Sequence, residues 1–160
     1  MSFFGVGPKI GVILLPWLAA SIIISSITKG IFAFSNANSN VVLICGIILM
    51  IPALAFYFST VKVLLKGLNE TKLMTKGAFG LCQNPLYASI CLFIIPALSL
   101  ILNSWLVLTT SVVGYILFKI YIKSEYIELE KFFGREYLDY KARTPEFFPF
   151  PKKKSTSANK

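Results

Sequence analysis

The chain reads as an all-α membrane protein, a polytopic helical bundle of about four transmembrane helices plus a C-terminal interfacial helix. Three observations predict this. Of 160 residues 56% are apolar and 14% charged, well above the roughly 45–50% apolar content of a soluble domain. The charges are segregated, with none between Lys9 and Lys29, between Lys29 and Lys62, or between Lys76 and Lys119. The basic residues fall almost entirely on one side of the crossings that those gaps imply.

Each element follows from a gap. Ile10 to Thr28 holds 19 charge-free residues, close to the roughly 20 that cross about 30 Å of hydrocarbon, and predicts the first crossing, 10–28. The polar stretch Ser35 to Asn40 reads as a short outer loop, and the apolar run from Val41 to about Val61 as the second crossing. The third gap, Gly77 to Phe118, spans 42 residues and is broken only at Asn103 and Ser104, so it predicts a helical hairpin with crossings over 85–102 and 105–122. Pro52 and Pro96 fall inside the second and third helices, either as kinks around a cavity or as packing features. A cytoplasmic helix is expected over 124–143. Residues 1–150 form one domain in this reading, and 151–160, with Lys152 to Lys154 and Lys160, a flexible basic tail drawn to anionic lipid.

Orientation follows from the retention of basic residues in the cytoplasm. With the N-terminus inside, fifteen Lys and Arg lie on the inner side and Lys29 alone outside, so both termini are expected in the cytoplasm. All seven acidic residues share that inner side. The apolar run through Ile27 is too long for a typical signal-peptide core, which favours an uncleaved first helix. Cys45 and Cys91 lie within helices and Cys82 near the inner interface, so no disulfide framework is suggested. The chain has no histidine, which removes His-based metal sites and Ser-His-Asp hydrolysis. Neither a metal nor a nucleic-acid partner is expected.

Two inner segments hold the polar chemistry. In the first, Leu68 to Ser89, Asn84-Pro85 reads as a helix start, with Asn84 accepting from exposed backbone N–H groups and Pro85 in the first turn. The positive end of the third helix then faces the loop as an anion site, or Asn-Pro is an ordinary cap with Gly77 and Gly80 as ordinary turn residues. In the second, Tyr126, Leu129, Phe133, Tyr137 and Tyr140 form one helical stripe, with charged residues on the other faces. By pattern alone this is an interfacial amphipathic helix. Gly134 bends or interrupts it, and Thr144-Pro145 ends it.

Taken together these segments resemble the membrane methyltransferase superfamily of isoprenylcysteine carboxyl methyltransferases, phospholipid N-methyltransferases and small bacterial relatives. The resemblance rests on Leu73, Thr75, Gly77 and Phe79; on Asn84, Pro85 and Tyr87 opening a helix; on a helical hairpin; and on Glu125, Leu129, Phe133, Gly134, Tyr137, Tyr140, Pro145 and Pro149. It covers about the last 90 residues. Three positions depart from the pattern: Gln83 stands where an Arg is usual, Tyr126 replaces the second Glu of a pair, and Glu146 sits where a basic residue is common.

The resemblance implies S-adenosylmethionine as cofactor and methyl transfer to a lipophilic acceptor, a carboxylate or an amine, at the cytoplasmic face of a bacterial inner membrane. It implies a cofactor site built from Thr75, Gly77, Phe79, Asn84, Pro85, Tyr87, Glu125, Tyr137 and Tyr140. In that site Gly77 to Phe79 lets the backbone approach, Asn84 and N–H groups near Tyr87 face the carboxylate, and Glu125 pairs with the amino group. For an amine acceptor Glu125 is also the proton-accepting candidate. The expected partners are the bilayer and the lipophilic acceptor. Two other readings stay open: a non-catalytic lipid- or partner-binding member of the same family, and a reductase of the steroid-reductase kind using NADPH.

Overall fold

The computed structural model describes residues 6–28, 30–36, 38–70 and 72–149, with 68–70 as backbone only. Lys29 and the basic tail over 151–160, both used in the sequence reading, lie outside the described residues. The described residues form helices and connecting turns, with no strand. We number the helices α1 (Gly7–Ile27), α2 (Ser39–Glu70), the single turn α3 (Ala78–Leu81), α4 (Pro85–Ile101) and α5 (Trp105–Arg143).

Among the described residues three helices are long and apolar enough to cross a membrane: Gly7–Ile27, Ser39–Gly67 and Trp105–Arg143. α4 is equally apolar but has 17 residues, roughly 25 Å at 1.5 Å per residue. Side chains such as Val12, Leu15, Ile48, Ile51 and Val112 stand exposed along α1, α2 and α5. An apolar surface this extensive is untenable in water and ordinary in lipid.

The helices stand in a row whose spatial order is α1, α5, α4, α2. Small residues set the spacing, as expected where van der Waals packing rather than the hydrophobic effect joins helices. A Cβ on Gly46 of α2 would lie 2.7 Å from the backbone nitrogen of Ile101 and 3.0 Å from the carbonyl oxygen of Ala97, so α2 crosses α4 nearly backbone to backbone. A Cβ on Gly114 of α5 would lie 2.9 Å from Sγ of Cys91 in α4 and 3.4 Å from the Leu14 side chain in α1.

α4 is not a plain α-helix. Residues Ser89–Ile94 form a π-helical segment immediately ahead of Pro96, which has no N–H to donate to the preceding turn. The turn after α4 places Asn103 at φ 47°, and its amide fastens the outer loop. Asn103 Oδ1 accepts the N–H groups of Phe34 and Ser35, and Nδ2 donates to the Ser35 carbonyl.

The crossing expected over 105–122 and the helix expected to continue from its end over 124–143 form one element, α5. It runs on unbroken through 119–133, because good helix formers fill that stretch and nothing there interrupts the i→i+4 ladder. The break comes at Gly134, at φ 51° and ψ −124°, a region open only to glycine. Up to that break the helix, Trp105 to Phe133, is roughly 43 Å long, longer than the roughly 30 Å of hydrocarbon. Its charged half, from Lys123 onward, therefore extends beyond the apolar layer.

The Gly46 contact yields a test. Gly46→Ala is expected to destabilise the protein by about 1–3 kcal/mol through overpacking, measured by unfolding in detergent. Gly11→Ala is the control, since nothing lies within 4 Å of its added Cβ, and it should leave stability unchanged or slightly raised.

Candidate functional site

The start of α4 and the charged part of α5 meet the segment 144–149, and there the polar residues singled out in sequence converge. Asn84 precedes α4 and is buried. Its side chain does not accept from the helix N-terminus as the Asn-Pro pattern suggested; only its backbone carbonyl does, from Ala88 N at 3.0 Å. Instead Asn84 Nδ2 donates to the Tyr126 hydroxyl at 2.6 Å and to the Glu146 carbonyl at 2.9 Å. Tertiary acceptors outcompete the local cap here, since both amide hydrogens of a buried Asn require partners.

Tyr126 passes the network on. Its hydroxyl donates to Glu146 Oε1 at 3.3 Å, and Lys119 Nζ donates to Glu146 Oε2 at 2.6 Å. Gln83 fastens the same segment one residue earlier. Its backbone N–H donates to the Pro145 carbonyl at 2.8 Å, and its Nε2 donates to the carbonyls of Thr144 at 2.7 Å and Lys141 at 3.4 Å. The three positions that depart from the methyltransferase pattern, Gln83, Tyr126 and Glu146, thus belong to one contact cluster.

The remaining candidates surround it. Glu125 Oε2 accepts the Val6 N–H at 3.2 Å, which sets the carboxylate against the positive end of α1. Burial raises the Glu125 carboxyl above its ordinary value, partly offset by the Val6 hydrogen bond. Tyr140 is buried and its hydroxyl donates to the Phe79 carbonyl at 2.6 Å. That bond ties the far end of α5 to α3. Tyr87 packs on Phe118 with ring centroids 5.4 Å apart. Gly77, at φ 65°, begins α3, and Pro85 is buried in the first turn of α4. Thr75 lies half-buried in the loop before Gly77, and no contact ties its side chain to Asn84 or Glu125.

Tyr137 is the most enclosed of the set at 1% exposure, and burial pushes its hydroxyl up to about 12. That hydroxyl and Gln83 Oε1 are buried without a hydrogen-bond partner. Lys141 places its ammonium 5.2 Å from the Tyr126 ring centroid and 5.7 Å from that of Tyr137, a cation–π arrangement. Cys82 is fully buried beside Phe147, and burial pushes its thiol up to about 11.

No family model matches this chain, and no curated protein matches it.

A cleft of about 230 Å³ lies at the opposite end of the bundle, lined by Ser25, Gly30, Asn36, Asn103 and Ser104 among others. Its polar groups largely answer one another, through the Ser25–Ser104 hydroxyl pair at 2.6 Å and the Asn103 bonds. The inner cluster is the better candidate site, since it holds the charged groups and two unanswered buried polar atoms.

Sequence reasoning did not assign roles to Lys119, Lys141 or Val6. Lys141 carried a usable signal, the i,i+4 spacing from Tyr137. Lys119 and Val6 act across 27 and 119 residues of sequence respectively, which local pattern does not reach.

A raised Glu125 value means that the folded protein binds the proton more tightly than the unfolded chain. The resulting stabilisation is complete below the ordinary value of 4.5 and lost as pH rises through the folded value. Glu125→Gln retains an acceptor for Val6 N–H, so unfolding in detergent between pH 4 and 8 should show a shallower decline than the native protein.

Proposed function

We propose that this protein is a four-crossing membrane enzyme that transfers a methyl group from S-adenosylmethionine to a lipophilic acceptor at the cytoplasmic face. The observation that carries the reading is the meeting of three sequence blocks, around Phe79, Asn84 and Glu125 to Tyr140, at one end of the bundle beside two buried, unpartnered polar atoms. Tyr137 Oη and Gln83 Oε1 offer a donor and an acceptor that a polar ligand answers. The residues therefore fit a polar cofactor.

When bound, S-adenosylmethionine supplies a methyl group already activated on a sulfonium, so neither metal nor histidine is required. The chain's own work is positioning and the exclusion of water. Gly77, Phe79, Thr75 and the N–H groups of Leu86 and Tyr87, which precede the first intrahelical bond of α4, hold the cofactor with Asn84 and Pro85. Glu125 faces its amino group, and Tyr137 and Tyr140 enclose it. For an amine acceptor, Glu125 takes the proton that leaves nitrogen; its raised affinity for protons suits that task.

The proposal takes α4 as the fourth crossing. Its 17 residues stand at the short end of the roughly 17–25 that span hydrocarbon, and the fifteen inner basic residues against one outer support a cytoplasmic position for both termini. Reporter fusions to the C-terminus and to the loop over 30–36 test this: the C-terminal fusion should report cytoplasm and the loop fusion the opposite side.

One observation favours the non-catalytic reading. The side-chain donors of Asn84 are already committed to Tyr126 and Glu146, and Glu125 is bonded to Val6. Calorimetry with S-adenosylmethionine on the purified protein in detergent, with labelled-methyl turnover on lipid extract, separates the two. Saturable binding weakened about tenfold or more by Asn84→Ala supports the enzyme, and no binding at millimolar cofactor by folded protein sinks it.

A further inference from the structure

The C-terminal part of α5 and the segment after it are attached to the bundle differently from everything else in the fold. The polypeptide reverses at Gly134, the one non-helical residue within α5. A Cβ there would meet nothing within 4 Å, so no packing contact requires the missing side chain. The glycine serves the backbone angle alone, which L-residues rarely adopt.

Beyond this hinge, residues 135–149 press Tyr137, Tyr140 and Phe147 inward, at 1%, 3% and 2% exposure. The polar fastenings gather at the far end. Gln83 holds the carbonyls of Lys141, Thr144 and Pro145; Asn84 holds the Glu146 carbonyl; and Tyr126 and Lys119 hold the Glu146 carboxylate. The Lys119–Glu146 pair is in solvent contact, with side chains 45% and 35% exposed, so it is a weak and reversible tie. Beneath lie Cys82, the Tyr137 hydroxyl and Gln83 Oε1. Buried groups without partners lie under a segment that turns at a glycine, is held by short hydrogen bonds to Gln83, Asn84 and Phe79, and ends in a solvent-contacting ion pair, which indicates a cover that can open.

We propose that residues 135–149 form a strap, hinged at Gly134 and latched at Glu146, whose opening admits a ligand to the buried polar atoms around Tyr137 and Gln83. The strap moves as one body because its inward face is aromatic and its outward face, including Arg135, Glu136, Leu138 and Asp139, is exposed. The proposal is independent of methyl transfer, since it concerns access and not reaction.

Cys82 is a native reporter, as it is fully buried and shares one apolar cluster with Phe147 of the strap. The experiment follows its alkylation by a water-soluble maleimide in mild detergent, in a Cys45→Ser, Cys91→Ala background. A parallel Cys45→Ser, Cys82→Ala background leaves only Cys91, which is buried within α4 and reports general loosening. Glu146→Gln should speed Cys82 labelling by about two- to fivefold, the effect of losing a partly exposed ion pair on a local opening equilibrium. Gly134→Ala should do likewise, because alanine strains the closed backbone. Cys91 labelling should stay constant in both. Should Glu146→Gln fail to fold, Lys119→Gln breaks the same tie from the other partner. Unchanged Cys82 labelling, a rise in only one of the hinge and latch variants, or an equal rise at Cys91 overturns the proposal.

Discussion

Two adjacent amide side chains, those of Gln83 and Asn84, hold the inner end of this bundle together. Between them they donate to three backbone carbonyls and one hydroxyl, and the Gln83 backbone adds a fourth carbonyl. Their acceptors belong to the end of α5, to the segment after it and to Tyr126. Each such bond contributes only about 0.5–1.5 kcal/mol net, but leaving one donor buried and unmet costs about 1–3 kcal/mol. The arrangement is therefore close to all-or-none. Once the corner is formed the C-terminal segment is held closed as a unit, and in that position it encloses Tyr137, Tyr140 and Phe147.

The same constraint explains why the fold is more legible than the site. In hydrocarbon every backbone group must be satisfied within its own helix, so crossings leave charge-free gaps that can be counted directly, as between Lys9 and Lys29. The Asn103 turn is readable for the same reason, since polar residues interrupt an apolar run only where the chain turns. The site obeys no such periodic rule. Asn84 has the sequence context of a helix cap and serves instead as a tertiary donor, because Tyr126, 42 residues away, reaches it first. The continuity of α5 was legible, since the stretch over 119–133 changes from apolar to charged while keeping a helical pattern. Gly134 was visible as a break, but not the reversal that it permits.

The row order α1, α5, α4, α2 places the two helices that begin or carry the site, α4 and α5, in the middle. At the end that holds the polar cluster α1 also reaches α4: Val6 and Ile10 share a buried cluster with Ala88 and Cys91 of α4, Phe118 and Ile122 of α5, and Phe147, so the start of α1 and the C-terminal segment together close over the Phe118 ring.

The three departures from the methyltransferase pattern look like losses when taken singly and like one rearrangement when taken together. Gln83 removes a positive charge, and Tyr126 removes a negative one, so the first two changes cancel in net charge. Glu146 then restores a carboxylate within bonding distance of Tyr126, and Lys119 supplies its counter-charge. A guanidinium at 83 would face backbone carbonyls with no neighbouring carboxylate bonded to it, a costly burial, whereas a neutral amide meets those carbonyls on equal terms. Its unused oxygen has no donor, however, and neither does the Tyr137 hydroxyl have a partner. On the reading proposed above, a polar ligand would supply both atoms with the partners that the cluster itself lacks.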